Sequence, residues 1–168
     1  MQEKPLMLKP LTLDDIDDFM VWATDDEVTK YMMWSSYTSR SEAENFFVNI
    51  VKAHPWFKAI CIDEKVVGSM TLDKGKGAFS CKAELGYVIA RKCWGNGLAT
   101  KAVAEALKRG FEDLDIERIE AYVDPTNIAS YKVLEKNGFV REGLLRNCLM
   151  QKGVIKDRFL YSFLRDDS

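Results

Sequence analysis

The sequence predicts a mixed α/β fold in which an antiparallel run of strands comes before a single β-α-β crossover. Three observations support this class. Short apolar runs separated by turn residues fill positions 57–89, as expected for a strand meander. A helical pattern rich in small residues follows at 98–111, and another strand follows at 117–123. This order differs from a doubly wound nucleotide-binding fold, in which strands and helices alternate throughout.

Length and composition are those of a soluble globular protein. The chain has 168 residues and a mass of 19.2 kDa, so we expect one domain over residues 1–168 with its own core. Apolar residues make up 47% and charged residues 30%. The net charge of −2 and the pI near 5.6 indicate neither a nucleic-acid nor a membrane partner, because no basic excess is present.

Cysteine and histidine usage limits the chemistry. The four cysteines are widely spaced and the chain has one histidine, so we expect no metal site and reduced thiols. His54 is predicted to have a capping or surface role rather than a place in a catalytic triad. The N-terminal residues lack the apolar run of a signal peptide. A cytoplasmic location is therefore expected, with entry to the nucleus by diffusion.

The first part of the chain predicts one strand and two helices. Leu6–Leu11 is the first strand, and Thr12 caps a helix with an acidic start. Ser39 and Glu42 form a capping box for the second helix. The apolar stripe of that helix is predicted to contain Ala43, Phe46, Phe47, Ile50 and Val51.

An aromatic and methionine-rich segment, residues 31–37, separates these two helices. It has no clear periodicity, so two interpretations stay open. A packed connector is slightly favoured over a loop that faces substrate.

The later elements follow in order. Two strands, Phe57–Ile62 and Val66–Asp73, lead through a turn at 74–77 to a long strand, Ala78–Ile89. The small-residue helix Leu98–Phe111 can lie close against a sheet, and the strand Glu117–Val123 comes next. A helix over Asn127–Lys136 stops at Asn137-Gly138. The chain ends in a hairpin of Phe139–Met150 and Val154–Leu164.

The glycine turn before the small-residue helix is the strongest functional signal. Gly95 and Gly97 let successive amides point into one concavity, and the helix start adds its own free N–H groups. A diphosphate suits such a site, with Arg91 and Lys92 adding charge at its rim. The Rossmann fingerprint is incomplete because Thr100 replaces its third glycine, and the P-loop pattern is absent. An ordinary glycine turn is the structural alternative.

The block AELGYVIARKCWGNGLATKAV, with DPTNIASYKVLEKNGF after it, resembles the GNAT superfamily of acetyl-CoA-dependent N-acetyltransferases, and within it the RimJ/RimL-type branch. The resemblance extends from Leu6 to Leu164 in element order, with its specific motifs in Ala83–Gly143. It implies the GNAT acyl-CoA N-acyltransferase fold, with splayed central strands, and acetyl-CoA as the cofactor. Lys92 stands where the family has Gln or Arg, a departure that leaves binding of the CoA pyrophosphate plausible.

The resemblance also implies which residues bind the cofactor. The turn and the helix start bind pyrophosphate, the end of the preceding strand pairs with pantetheine as an added strand would, and Asn127 contacts pantetheine as well as capping its helix. The implied cofactor-binding residues are Tyr87, Val88, Ile89, Lys92, Cys93, Trp94, Gly95, Asn96, Gly97, Leu98, Ala99, Thr100 and Asn127.

The expected reaction is direct attack of a neutral amine on the acetyl thioester, which requires a base and a proton donor. The resemblance places Ser130 near the thioester sulfur as the donor, and Tyr131, whose phenol is closer in acidity to a thiol, is the second candidate. Glu84 and Glu120 lie on neighbouring strands and are candidate bases, each with an ion-paired structural role as the alternative. A covalent route through Cys93 is disfavoured because it lacks a histidine partner.

The sequence is compatible with three functions. The first is an N-acetyltransferase acting on a protein N-terminal amine or on a small amine or polyamine. The alternatives are a non-catalytic CoA-binding module and a structural interaction domain that binds neither ligand. Seven acidic residues between positions 14 and 27 suit a cationic acceptor, although helix capping explains them more simply. The protein is expected to be a monomer or a homodimer.

Overall fold

The computed structural model describes residues 5–167 and confirms the mixed α/β class. The strands of this range are β1 Leu6–Pro10, β2 Phe57–Ile62, β3 Lys65–Lys74, β4 Lys82–Ile89, β5 Arg118–Val123, β6 Val140–Gln151 and β7 Val154–Leu164. Its α-helices are α1 Ile16–Ala23, α2 Asp26–Thr29, α3 Arg40–Phe46, α4 Leu98–Leu114 and α5 Ile128–Lys136. The first four residues of the N-terminal segment examined for a signal peptide lie outside the described residues.

The strands follow the order β1-β2-β3-β4-β5-β7-β6. Pairing is antiparallel for β1 with β2, β2 with β3, β5 with β7 and β6 with β7. β4 and β5 run parallel, and their pairing covers the first three residues of each strand, Lys82–Glu84 with Arg118–Glu120. The antiparallel meander and the later β-α-β crossover are therefore present as predicted.

The contacts divide the chain into two compact units. Unit 1 comprises the chain up to Thr71 together with Tyr87–Leu98, and unit 2 comprises Leu72–Gly86 and the chain from Ala99 onward. The single domain over residues 1–168 stays a prediction.

The core of unit 1 is aromatic. Phe19, Trp22 and Phe47 are almost fully buried there, and Phe19 makes edge contacts with both of the other rings. Trp34 and Tyr37 from the aromatic segment pack against the same core. The packed-connector interpretation of residues 31–37 is therefore confirmed for these two side chains.

The acidic residues at the start of unit 1 are structural. Five of the seven have partners in the same unit: Asp15 with Lys9 and the Thr12 amide, Asp17 with Arg40, Asp18 with the Val66 amide, Asp25 with Arg91 and the Glu27 amide, and Asp26 with Ser36. Hydrogen bonds and ion pairs within unit 1 thus account for five of the seven residues, which favours the simpler interpretation.

The predicted second helix needs a correction at its end. The α-helix stops at Phe46, and Phe47–Val51 forms a π turn. The wider spacing of that turn rotates the residues that follow. Phe47 and Val51 stay buried, but Ile50 is 51% exposed and does not belong to the core stripe.

The predicted long strand Ala78–Ile89 is also wrong at its start. Gly77 has a φ of 57°, and Gly77–Phe79 forms a short 3-10 turn before β4 begins at Lys82. The Gly75 amide donates to the Lys82 carbonyl at 2.9 Å, which closes a longer loop than the predicted hairpin. Phe79 is exposed, so its apolar character did not indicate a strand position.

Unit 2 is built on α4 and the last strands. Ala102, Val103 and Ala106 are buried on α4. A Cβ at Gly110 would overlap a methyl group of Leu72 and lie 3.3 Å from Ile119, so this helix face needs small residues, as predicted. The terminal hairpin is also confirmed, and its turn uses Lys152 and Gly153 at positive φ, as a type I′ turn requires.

Candidate functional site

The glycine turn of unit 1 leads directly into α4. Gly95 and Gly97 have φ values of 75° and 71°, in the left-handed region that glycine adopts without strain. Upstream, the Cys93 amide donates to the Ala90 carbonyl and the Trp94 amide to the Arg91 carbonyl, which forms one short helical turn. The Trp94 indole donates to the Ile89 carbonyl at 2.8 Å. The turn is therefore fixed at its start and open at its glycines.

The turn has the features of a phosphate cradle. A Cβ built on Gly95 or on Gly97 would meet no atom within 4 Å, so open space lies in front of both residues. Gly95, Asn96 and Gly97 are exposed, and the N–H groups of the first turn of α4 have no intrahelical acceptors. Backbone amides at a helix start, with the positive end of the helix dipole, suit a pyrophosphate.

Arg91 and Lys92 were both predicted to add positive charge at the rim of the turn, and the structure differs from this prediction for Arg91. Arg91 pairs with Asp25 at 2.9 Å within unit 1, so its guanidinium already has a carboxylate partner. Lys92 is exposed. Lys92 is therefore the better candidate for contact with a phosphate.

The end of β4 lies close against β3 within unit 1. The Ala90 amide donates to the Val67 carbonyl at 2.7 Å. A Cβ at Gly68 would overlap the Val88 carbonyl oxygen and lie 3.1 Å from the Ile89 Cα. Glycine at position 68 thus permits the backbone course of Val88–Ala90, part of the stretch predicted to pair with pantetheine.

This contact gives a stability prediction. We expect Gly68→Ala to lower the free energy of unfolding by about 1–3 kcal/mol, because the added methyl group meets backbone that cannot rotate away. For a chain of this length that corresponds to about 2–12 °C in melting temperature. Gly143→Ala is the matched control, since Gly143 also lies in a strand, β6, but a Cβ there would meet no atom within 4 Å. Equal melting temperatures for the two variants would contradict the close approach.

The start of α5 in unit 2 carries the predicted proton donors. Asn127 caps the helix, and its side-chain oxygen accepts from the Ser130 amide at 3.2 Å. Ser130 and Tyr131 are half-buried, and the Tyr131 ring meets Phe159 edge to face. The structure confirms the capping role of Asn127, while the chemical roles of Ser130 and Tyr131 stay predictions.

The two candidate bases lie opposite each other on β4 and β5, but in different surroundings. Glu120 is buried and bonds Lys82, Arg118 and Tyr122. Burial alone would raise the pKa of Glu120, but these three hydrogen bonds outweigh it and hold that pKa below its ordinary value. This occupied carboxylate fits the structural role.

Glu84 is the freer carboxylate of the pair. Its side chain is exposed at the surface, and partial removal from water raises its pKa above the ordinary glutamate value. The nearby charges of Asp73 and Glu120 raise that pKa further, while Lys82 opposes them. A carboxyl with a raised pKa suits a general base, so Glu84 is the better candidate.

The described residues contain no group of three or more side chains arranged to hold a metal ion. None of their helices combines the length and hydropathy that a membrane span requires.

Sequence reasoning missed Gly68, which permits the backbone course at the end of β4. Gly68 stands in an apolar strand with no turn signal around it. A Gly within a strand indicates a close backbone approach, and this signal was available in the sequence for Gly68.

Comparison with known proteins agrees with this geometry. Residues 5–140 match the family model described as acetyltransferase (GNAT) domain. The protein named "uncharacterized N-acetyltransferase p20" from Bacillus licheniformis is 33% identical over 169 residues, with 95% of this chain and 93% of that protein covered.

Solved structures give the same result. A GNAT-family acetyltransferase from Bacillus anthracis has a TM-score of 0.86 and 26% identity, with 98% of this chain and 96% of that chain covered. RimJ from Mycobacterium smegmatis, in complex with CoA-disulfide, has a TM-score of 0.85 and 25% identity, with 96% and 83% covered. The predicted fold is confirmed, and the similarity to RimJ supports the predicted RimJ/RimL-type branch.

Proposed function

Because the chain belongs to the GNAT family of acetyltransferases, with acetyl-CoA as its cofactor, we propose that it acetylates a primary amine, and a protein N-terminal amine in particular. The exposed glycine turn at the start of α4 is the observation that carries this proposal. The resemblance of the sequence to the RimJ/RimL-type branch, which acetylates the N-termini of ribosomal proteins, favours an N-terminal acceptor over a small amine or polyamine.

The turn and its neighbours hold the cofactor in this proposal. The amides from Gly95 to Thr100 bind the pyrophosphate, and Lys92 adds a positive charge. The backbone of Tyr87–Ile89 binds pantetheine as an added strand does. Within and next to this stretch, the Ile89 carbonyl accepts from the Trp94 indole and the Ala90 amide donates to the Val67 carbonyl.

Bound acetyl-CoA supplies the activated acetyl group and a thiol leaving group. Glu84 accepts the proton that the attacking amine loses, directly or through a water molecule. Ser130 donates a proton toward the departing sulfur and takes one back from solvent, and Glu84 releases its proton to solvent, so both groups return to their starting forms. Tyr131 is the second candidate donor. The role of Glu84 requires its charged form.

The raised pKa of Glu84 sets a pH dependence. A base works only when deprotonated, so the acidic limb of kcat/KM should contain an ionisation above the ordinary glutamate pKa, distinct from that of the acceptor amine at about 8. We expect Glu84→Gln to lower kcat about a hundredfold. Asp73→Asn removes a neighbouring negative charge, so it should move the acidic limb to lower pH without lowering the maximal rate. The measurement is kcat/KM between about pH 4 and about pH 9, a range that includes the ordinary pKa values of a glutamate carboxyl and of an N-terminal amine.

An unmoved acidic limb in Asp73→Asn would remove Glu84 from the role of base. Full activity of Glu84→Gln would also exclude Glu84 as the base. It would indicate that water accepts the proton of the amine without a carboxylate.

An acceptor panel tests the proposed function. CoA release from acetyl-CoA is measured with a short peptide that has a free N-terminus, with the same peptide N-acetylated, and with spermidine. We expect turnover with the free N-terminus alone. Turnover with spermidine alone would replace the acceptor but keep the enzyme class. Binding of acetyl-CoA without turnover on any amine would support the non-catalytic CoA-binding module instead.

A further inference from the structure

A buried ion pair connects the terminal hairpin to the start of α5. Arg158 on β7 and Asp124 just after β5 are 4% and 8% exposed. One guanidinium nitrogen, Nη1, lies 3.5 Å from Asp124 Oδ2 and donates to the Asp157 carbonyl at 2.7 Å. The other, Nη2, donates to Gln151 Oε1 at 2.8 Å. Gln151 is also buried and ends β6, so one guanidinium joins three segments of unit 2.

Asp124 in turn shapes the approach to α5. Its Oδ1 accepts from the Thr126 amide at 2.9 Å and from the Thr126 hydroxyl at 2.7 Å. Its carbonyl accepts from the Asn127 amide at 2.8 Å. Asn127 then caps the helix through the Ser130 amide. A continuous chain of hydrogen bonds thus runs from Arg158 to the residue proposed as proton donor.

The charges of this pair are maintained despite burial. Burial alone would raise the pKa of Asp124, but the hydrogen bonds from Thr126 and the charges of Arg158 and Lys156 hold it below its ordinary value. Asp124 therefore stays ionised at neutral pH. A buried ion pair is seldom better for stability than an apolar pair of the same size, which points to a role in fixing geometry.

We infer that Arg158 is a positioning residue of the acetyl transfer: through Asp124 it fixes the first turn of α5, and with it Asn127 and Ser130. This inference rests on the proposed function for its catalytic consequence. Displacement of a reacting group by about 1 Å can lower a rate about a hundredfold, so loss of this hold should reduce turnover. Acetyl-CoA affinity should change little, because the amides of the glycine turn supply most of it.

Three variants and one control test the inference. Arg158→Met removes the guanidinium, and Arg158→Lys keeps the charge but loses the fork that reaches both Gln151 and Asp124. The double variant Arg158→Met/Asp124→Asn leaves no unpaired charge in the core, so it is informative even where the single variant folds poorly. Arg165→Met is the control, since Arg165 donates to the carbonyls of Phe111, in the last turn of α4, and of Ile116, just after it, rather than to the approach to α5.

Two readouts are compared in full-length protein. We expect Arg158→Met and the double variant to lower kcat about tenfold to a hundredfold, with KM for acetyl-CoA within about threefold of the wild-type value. Arg158→Lys should fall between these variants and wild type, and Arg165→Met should keep the wild-type kcat. Amide hydrogen exchange at residues 128–131 should quicken in the Arg158 variants, while exchange at residues 134–136 stays unchanged. In Arg165→Met, exchange at residues 128–131 should match the wild type.

Wild-type kcat in the double variant, or equal losses in Arg158→Met and Arg165→Met, would reduce the pair to a structural role. Unchanged exchange at residues 128–131 would overturn the inference whatever the activity. An inactive wild-type enzyme would refute the proposed function alone, because the exchange measurement still shows whether Arg158 fixes α5.

Discussion

Gly97→Asp is expected to weaken acetyl-CoA binding more than about a hundredfold. The new carboxylate would enter the open space in front of the turn, where the pyrophosphate is proposed to bind. Placing like charges together costs several kcal/mol, and each 1.4 kcal/mol is about a factor of ten in affinity. The measurement is titration calorimetry with acetyl-CoA and with CoA.

Two controls separate charge from backbone strain. Gly97→Asn has nearly the same size as the aspartate, lacks its charge and tolerates the left-handed backbone, so it should keep much more of the affinity. Gly77→Asp places the same carboxylate at a φ of 57° with no atom within 4 Å, but in the loop before β4. It should bind acetyl-CoA as the wild type does. Wild-type affinity in Gly97→Asp would show that the pyrophosphate does not bind at the glycine turn.

Ser130→Ala is expected to lower kcat about a hundredfold and to leave KM for acetyl-CoA nearly unchanged. A general acid contributes about a hundredfold or more to a rate, and it acts in the transition state rather than in binding. The Ser130 amide still donates to Asn127 in this variant, so the cap of α5 is retained. Steady-state kinetics with an N-terminal peptide acceptor measure both quantities.

Tyr131→Phe distinguishes the two candidate donors. It keeps the ring that meets Phe159 and removes the hydroxyl alone. If Ser130 is the donor, Tyr131→Phe should retain most of the wild-type kcat. A large loss in Tyr131→Phe with near wild-type turnover in Ser130→Ala would assign the role to Tyr131.

Features with strong local signals were predicted correctly from the sequence. The glycines at positions 95 and 97, the cap at Asn127 and the turn at 152–153 each depend on backbone conformations that few residue types adopt. The element order followed from the same signals. Because these features are local, the candidate cofactor turn could be identified without any structure.

Features that depend on tertiary contacts were missed. Ile50 fits the helical period, but the π turn moves it to the surface. Gly68 is required because β3 and β4 approach closely, a contact between segments about twenty positions apart in sequence. Arg158 gains its role from Asp124, a residue thirty-four positions earlier. The glycine within β3 indicated a close approach but not its partner, and no pattern within one element indicates the pairing of Arg158 with Asp124.

The melting temperature of the wild-type protein with acetyl-CoA, with CoA and with NAD tests the central claim most directly. A ligand at about 100 times its dissociation constant adds about 2.7 kcal/mol to the free energy of unfolding. For a chain of this length we expect a rise of about 5–10 °C with acetyl-CoA and with CoA, and none with NAD. The absence of any rise at millimolar acetyl-CoA would contradict the cofactor site at the glycine turn and the acetyl transfer that depends on it.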